Sequence, residues 1–170
     1  RPDIHNAFDD TVIAALTDAF TQAANDSAVR VVILASNGKS FCAGGDLNWM
    51  RRMAGYNYEE NLRDSNALAN MLRTLNFLPK PTIARVQGAA YGGGVGLVAC
   101  CDIAVASADA VFCLSEVKVG LIPATISPYV VRAIGQRASR RYFTTAELIT
   151  AEKAHALGLI SELVASDELD

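Results

Sequence analysis

Twice along this chain, a short apolar run leads into a glycine-containing turn and then into a helix-compatible stretch. Residues 31–35 form the first run, and Gly45 lies in the turn that follows it. Residues 82–86 form the second run, and the turn at 87–94 carries Gly93 at the centre of three consecutive glycines. Short runs rich in β-branched residues are typical of buried strands. Because strands that alternate with helices need crossover connections, this pattern predicts an α/β fold.

Helices are predicted where apolar residues recur at helical spacing behind a capping residue. Asp46 is a suitable N-cap for a helix from Leu47, and Asn57 with Glu60 can form a capping box for the next helix. The helix that begins after Asn57 is predicted to end near residue 78. The remaining predicted elements are an amphipathic helix around 8–20, an apolar helix at 95–101, strands at 102–106 and 111–114, and helices at 127–133 and 150–157.

Composition limits the classes of function. The chain has 170 residues, a net charge of −3 and no basic run longer than two residues, so nucleic acid is not an expected partner. No apolar run is long enough to span a membrane, and no membrane partner is expected. The four cysteines form no CxxC pair, and only His5 and His155 could join them, so no metal site is predicted. Buried, reduced thiols in a cytoplasmic protein are the expectation.

The two glycine turns carry the strongest chemical signal. Each leaves a predicted strand and opens a predicted helix, where the first N–H groups lack intrahelical partners and attract negative charge. Glycine also lets a ligand approach the main chain closely. One N–H from each turn could therefore hold a single developing oxyanion. A dinucleotide-binding loop is the competing interpretation of Gly92-x-Gly94, but Leu97 occupies the place of its third glycine.

Glu116 follows the apolar run at 111–114 and precedes a second apolar segment. Burial of a carboxyl group raises its pKa, which suits proton transfer near neutral pH. The alternatives are an ion pair with Lys118 or a solvated strand end.

Taken together, these segments resemble the crotonase family, which is also called the enoyl-CoA hydratase/isomerase family. The resemblance runs along nearly the whole chain, in the motifs RPDIHNA (1–7), SFCAGGDL (40–47), GAAYGGG (88–94), CDIA (101–104), SEVKVGLIP (115–123) and AEKAHALG (151–158). No one motif decides the matter, but their number and order make the likeness strong.

The resemblance implies a CoA thioester substrate and no separate cofactor. Gly45 and Gly93 are expected to supply the two N–H groups of the oxyanion hole, and Glu116 matches the family's catalytic glutamate. The substrate-binding positions implied in the same way are Asp3, His5 and Ala7 in the opening segment, Ala43 at the adenine, Asp46, Leu47 and Asn48 beside the acyl thioester, and Gly92 and Gly96 in the second turn and its helix.

One position departs from the hydratases that use two glutamates, because Gly96 stands where they carry the second. The segment at 124–135 and the cysteines near Asp102 and Glu116 resemble bacterial members that hydrate branched, carboxylated enoyl-CoAs. Methylglutaconyl-CoA hydratase and carboxygeranoyl-CoA hydratase are examples, and they also lack the second glutamate. The resemblance therefore favours a hydratase. A single-glutamate enoyl-CoA isomerase and a CoA-binding fragment without turnover stay open.

The family's fold is a spiral of ββα units. Its members also have an initial strand and a C-terminal helical segment, which we do not find among these residues. We therefore expect one crotonase-like core domain over 1–170, truncated at both ends. The resemblance implies a homotrimer or a dimer of trimers for the full-length protein.

Overall fold

The first six strands of the chain alternate between two sheets. The computed structural model describes residues 1–170. The first sheet has the order β1-β3-β5-β8, and all its pairs are parallel. The second has the order β2-β4-β6-β7, with only its last pair antiparallel. The strands are β1 (Val32–Leu34), β2 (Ser40–Cys42), β3 (Thr82–Val86), β4 (Ala89–Tyr91), β5 (Ile103–Ser107), β6 (Val111–Cys113), β7 (Ile149–Thr150) and β8 (Glu162–Val164).

The chain has six α-helices, of which the first precedes all the strands. They are α1 (Asp10–Asn25), α2 (Leu47–Met53), α3 (Tyr58–Asn76), α4 (Gly93–Cys100), α5 (Ser127–Thr145) and α6 (Ala151–Leu157). Three times in succession, one strand enters the first sheet, the next enters the second sheet, and a helical segment follows. This arrangement confirms the predicted α/β fold and its spiral of ββα units. No helix of the chain is both long enough and apolar enough to cross a lipid bilayer.

Side-chain caps fix where the helices begin. Asp9 accepts hydrogen bonds from two N–H groups at the start of α1, and Asp46 does the same for α2. Asn57 and Glu60 form the predicted capping box of α3. Thr150 caps α6, which ends at Gly158 in the left-handed conformation that favours glycine.

The core is centred on α4, which contacts α3 on one side and α5 on the other. Val95 is fully buried and Leu97 and Val98 almost so, so α4 shows no polar face. Met71 and Leu72 of α3 are completely buried, which confirms part of the apolar stripe predicted there. A helix that is apolar all round can be stable only where it is covered on every side.

Several predicted boundaries are wrong. β2 lies partly in the predicted loop at 41–45, and β4 lies in the predicted turn at 87–94, because strands of three residues are too short to show a period. β7 and β8 were not predicted at all. The helix expected at 127–133 continues as α5 to Thr145, past a break at Gly135, where φ is 77° and ψ is 160°.

The first predicted strand is shorter and less buried than expected. Only Val32–Leu34 is strand, and the side chains of Val31 and Ile33 are 45% and 62% exposed. β1 is an edge strand of its sheet, so it has a neighbouring strand on one side only. Phe8, which the first helical pattern includes, lies outside α1 and forms an isolated parallel bridge with Gly45.

Removal of the α3 capping box should destabilise the fold measurably. Replacing Asn57 by Ala leaves the Glu60 N–H without its side-chain acceptor, and we expect a loss of about 1 kcal/mol in the free energy of unfolding. Urea denaturation measures it. The matched control is Asn70→Ala, an exposed position on the same helix whose side chain makes no hydrogen bond. Equal stability of the two variants would contradict the capping role.

Candidate active site

The carboxyl ends of three parallel neighbours, β2, β4 and β6, lie at one edge of the second sheet. The turn with Gly45 follows β2, the turn with Gly93 follows β4, and Glu116 follows β6. All three residues line one cavity of about 410 Å³. The other lining residues are Phe8, Ala43, Gly44, Leu47, Trp49, Met50, Met53, Leu68, Gly92, Ser115, Lys118, Val119, Leu121, Ile122, Pro123, Thr125 and Ile126. The topology thus brings the three predicted catalytic positions together.

The N–H of Gly45 is free because its neighbours take the hydrogen bonds. Phe8 N–H donates to Gly44 O at 2.9 Å, and Asp46 N–H donates to Phe8 O at 2.8 Å. In a parallel pair, the residue between these two partners has its own N–H and C=O directed away from the facing strand. Gly45 N–H has no acceptor in the chain, and Gly45 lines the cavity.

The N–H of Gly93 is free for a different reason. Gly93 is the first residue of α4, so its N–H has no partner within the helix. No other acceptor in the chain takes it. Gly92 precedes it as N-cap, with a φ of 50° that glycine tolerates. A free N–H at the start of an α-helix, on a residue that lines a cavity, is a favourable place for negative charge.

The two turns touch each other. A Cβ placed on Gly44 would lie 2.9 Å from Tyr91 O and 3.8 Å from Gly93 N, and Gly44 has a φ of 85°. Any larger residue at Gly44 would push the turns apart. Only glycine permits both this backbone conformation and this close approach.

Glu116 is a partly buried carboxyl group without a counter-ion. It begins a 3₁₀ turn at Glu116–Val119, and its Oε2 atom is buried with no hydrogen-bond partner. Desolvation raises the pKa of Glu116 above its ordinary value of 4.5. No ion pair joins it to Lys118, so that alternative is excluded. A carboxyl group at the wall of a cavity, with one unpartnered oxygen and a raised pKa, suits a residue that takes up and returns a proton.

The space beside Gly96 is filled by an apolar side chain. A Cβ on Gly96 would overlap Cγ2 of Ile126 and lie 2.9 Å from its Cβ. Leu72 contributes a further atom at 3.6 Å from the same point. Gly96 is buried and does not line the cavity, whereas Ile126 does. The packing therefore leaves no room for a second carboxylate at this position.

The opening segment lies mainly beside a second cavity. Ala7 is buried and lines this cavity of about 340 Å³, which lies on the other side of Phe8 from the first. Asp3 and His5 are exposed and line neither cavity. His5 instead supports the first turn, because its carbonyl accepts the Ala43 N–H at 3.0 Å.

The predicted residues after the first turn divide into two groups. Ala43 and Leu47 line the cavity, and the side chain of Leu47 is 66% exposed at its rim. Asp46 and Asn48 do not line it. Asp46 is buried as the cap of α2 and forms an ion pair with Arg1 at 3.2 Å, while Asn48 accepts a hydrogen bond from Arg51.

Sequence reasoning missed three features of the cavity wall. Phe8 has the periodicity of a helix face, and nothing in the sequence shows that it pairs with Gly45. Ile126 lies far from Gly96 in the chain but fills the space beside it. Lys118 is the only cationic residue that lines the cavity. Of these, only Lys118 carried a sequence signal, through its closeness to Glu116.

Burial makes the thiols poor nucleophiles. It raises the pKa of Cys42, beside the first turn, to about 11 and that of Cys101 to about 12. The pKa values of Cys100 and Cys113 are also raised by burial. Three of the four thiols are buried, and Cys101 is partly buried.

This fold and this cavity define a class of α/β protein with two glycine turns and one carboxyl group at a shared sheet edge. Residues 1–170 match the sequence profile described as "Enoyl-CoA hydratase/isomerase". The chain therefore belongs to the enoyl-CoA hydratase/isomerase family, also called the crotonases.

Solved structures agree in detail with this assignment. The chain is 53% identical, with a TM-score of 0.97, to a Legionella pneumophila protein assigned to the enoyl-CoA hydratases/isomerases (crotonases), covering 99% of this chain and 65% of that one. It is 51% identical, with a TM-score of 0.95, to an enoyl-CoA hydratase from Shewanella pealeana, covering 96% and 62%. It is also 36% identical over 162 residues to a Thermus thermophilus protein assigned as an enoyl-CoA hydratase, covering 95% of this chain and 64% of that protein. The chain thus spans less than two thirds of these relatives' length.

Glu116 should lower the stability of the folded protein at neutral pH. Because its pKa is raised in the folded state, the folded state binds more protons than the unfolded state at pH values between about 4.5 and the folded-state pKa. Stability is therefore lost as the pH rises through this window. We expect Glu116→Gln to melt at a higher temperature than the wild type at about pH 7.5, and this gain to disappear below the unfolded-state pKa.

Thermal denaturation at several pH values measures this effect. The matched control is Glu162→Gln, at an exposed position on β8. A gain in Glu116→Gln that does not depend on pH would contradict the explanation by desolvation.

Proposed function

We propose that this chain forms the catalytic core of an enzyme that adds water to a 2-enoyl-CoA thioester. The observation that carries the proposal is that two glycines with free N–H groups and one carboxyl group with an unpartnered oxygen line a single cavity. The names of the relatives support the same reaction, since several are called enoyl-CoA hydratases.

In the proposed mechanism, the thioester carbonyl oxygen lies between the N–H groups of Gly45 and Gly93. Negative charge grows on that oxygen when a nucleophile adds to the β-carbon. Hydrogen bonds from fixed donors strengthen as the charge develops, so they stabilise the enolate-like state more than the ground state. Both glycines are half-buried, and the lower local dielectric strengthens these hydrogen bonds further.

Glu116 moves the proton. As the oxygen of water bonds to the β-carbon, the carboxylate takes a proton from that water and then returns it to the α-carbon. One water molecule is thereby added across the double bond, and Glu116 ends in its original state. Burial brings the pKa of Glu116 closer to neutral pH, which suits a group that must act as both base and acid.

A second candidate reaction is the conversion of 3-enoyl-CoA to 2-enoyl-CoA. The apolar contact of Ile126 with Gly96 favours it, since the cavity has no second carboxylate to orient a water molecule. An isomerase needs only one group to move one proton between two carbons.

Product analysis of the full-length protein tests these candidates. We expect crotonyl-CoA or a branched 2-enoyl-CoA to give a 3-hydroxyacyl-CoA, and Glu116→Gln to lower kcat by about 100- to 10,000-fold with little loss of CoA-ester binding. Glu162→Gln should keep the wild-type rate. If the protein converts 3-enoyl-CoA to 2-enoyl-CoA and forms no hydroxyacyl product, the result would contradict hydration and support isomerisation. Binding without any turnover would contradict both reactions.

A carboxylated acyl chain, such as that of 3-methylglutaconyl-CoA, is the narrower substrate we propose. Lys118 is the only cation on the cavity wall, and it makes no ion pair or side-chain hydrogen bond. The exposed apolar residues Val119, Leu121 and Ile122 lie beside it at the rim. This wall could receive a branched hydrocarbon chain that ends in an anionic group.

Replacing Lys118 by Met tests this substrate class. We expect kcat/KM for 3-methylglutaconyl-CoA to fall about 10- to 100-fold, as for loss of one charge-assisted hydrogen bond, while crotonyl-CoA is little affected. Lys153→Met, on the exposed side of α6, is the control. An equal fall in kcat/KM for both substrates would mean that Lys118 does not bind the acyl carboxylate.

We further propose coenzyme A as the carrier part of the substrate and a trimer or dimer of trimers as the full-length assembly. The four unbridged cysteines support a cytoplasmic location for the protein.

A further inference from the structure

Phe8 contacts both glycine turns. Its side chain is only 3% exposed and belongs to the hydrophobic core, yet it lines the candidate active-site cavity on one side and the second cavity on the other. A residue that touches both turns can determine how they sit relative to each other.

The main chain of Phe8 holds the first turn. Its N–H and C=O bond to Gly44 and Asp46, so they bracket Gly45 on both sides. These two bonds fix the orientation of the peptide plane that carries the Gly45 N–H. Without them, that N–H would be free to rotate toward solvent.

The ring of Phe8 packs on the second turn. A Cβ placed on Gly93 would overlap Cζ of this ring and lie 2.9 Å from Cε1. The ring also packs against the indole of Trp49. The two ring centroids lie 6.3 Å apart, and the ring planes make an angle of 56°. Trp49 is anchored by a hydrogen bond from its Nε1 to Asp64 at 3.3 Å. The ring therefore has little room to move away from Gly93.

We infer that Phe8 is a positioning residue that sets the separation and orientation of the Gly45 and Gly93 N–H groups. Its backbone aligns one donor and its ring limits the position of the other. This inference rests on the proposed oxyanion hole. Because displacement of a catalytic group by about 1 Å can cost about 100-fold in rate, a residue that fixes both donors controls turnover without touching the proton chemistry.

Kinetics of Phe8→Leu and Phe20→Leu in the full-length enzyme separate positioning from simple core packing. Phe20 is also 3% exposed, but it lies on α1 away from the cavity. Assayed well below both melting temperatures, Phe8→Leu should lower kcat about 10- to 100-fold with KM little changed. Phe20→Leu should lose stability but keep kcat. Equal kcat values for the two variants would overturn the inference.

A bound β-ketoacyl thioester gives a second readout that needs no turnover. The enolate of acetoacetyl-CoA absorbs in the near ultraviolet, and two aligned donors lower the pH at which the bound thioester ionises. Phe8→Leu should move this pH upward, and Phe20→Leu should leave it unchanged. If the bound thioester ionises at the same pH in Phe8→Leu as in the wild type, the inference would be overturned.

The same titration distinguishes this inference from the proposed reaction. A wild-type protein that forms the bound enolate but hydrates no enoyl-CoA would contradict the hydratase proposal. The shift caused by Phe8→Leu would still decide the role of Phe8.

A double-mutant cycle tests the contact between the ring and Gly93. Gly93→Ala places a methyl group against the Phe8 ring, so its cost in kcat should be large in the wild type and much smaller in Phe8→Ala. Additive effects of the two substitutions would show that the ring does not hold Gly93.

Discussion

One short parallel bridge, between Phe8 and Gly45, governs the candidate active site. Its two hydrogen bonds occupy the main-chain groups on either side of Gly45 and leave the N–H of Gly45 without a partner. An unpaired N–H in a desolvated place is costly unless a ligand satisfies it. Gly45 is half-buried and lines the cavity, so a developing negative charge on a ligand there can accept a hydrogen bond from this N–H. Preorganised donors of this kind stabilise a transition state without having to reorient during the reaction.

The alternation of strands between two sheets places the other components around this bridge. β2, β4 and β6 are parallel neighbours, so the segments that follow them emerge at the same edge. The segment after β2 contributes the free N–H of Gly45, the segment after β4 contributes the N–H of Gly93 at the start of α4, and the segment after β6 contributes the carboxyl group of Glu116. The ββα connectivity thus converts three distant parts of the chain into one cavity.

Packing also determines which charges this cavity contains. Ile126 fills the space beside Gly96, so the wall there is apolar, and Glu116 stands as the only carboxyl group on the lining. Desolvation raises the pKa of Glu116, and no counter-ion in the chain offsets this rise. A partly buried carboxyl group with a raised pKa is suited to proton transfer near neutral pH.

The sequence by itself determined the α/β class, most of the helices, strand β3 with its bounds, and the three positions that meet at the cavity, because glycine turns, caps and apolar periods are local signals. It did not reveal β2, β4, β7 or β8, since strands of two or three residues are defined by their neighbours and not by their own pattern. Only the tertiary structure decided that Phe8 leaves the helical pattern to bridge Gly45 and that Ile126 closes the space at Gly96. These contacts join residues that are far apart in the chain, and no local propensity encodes them.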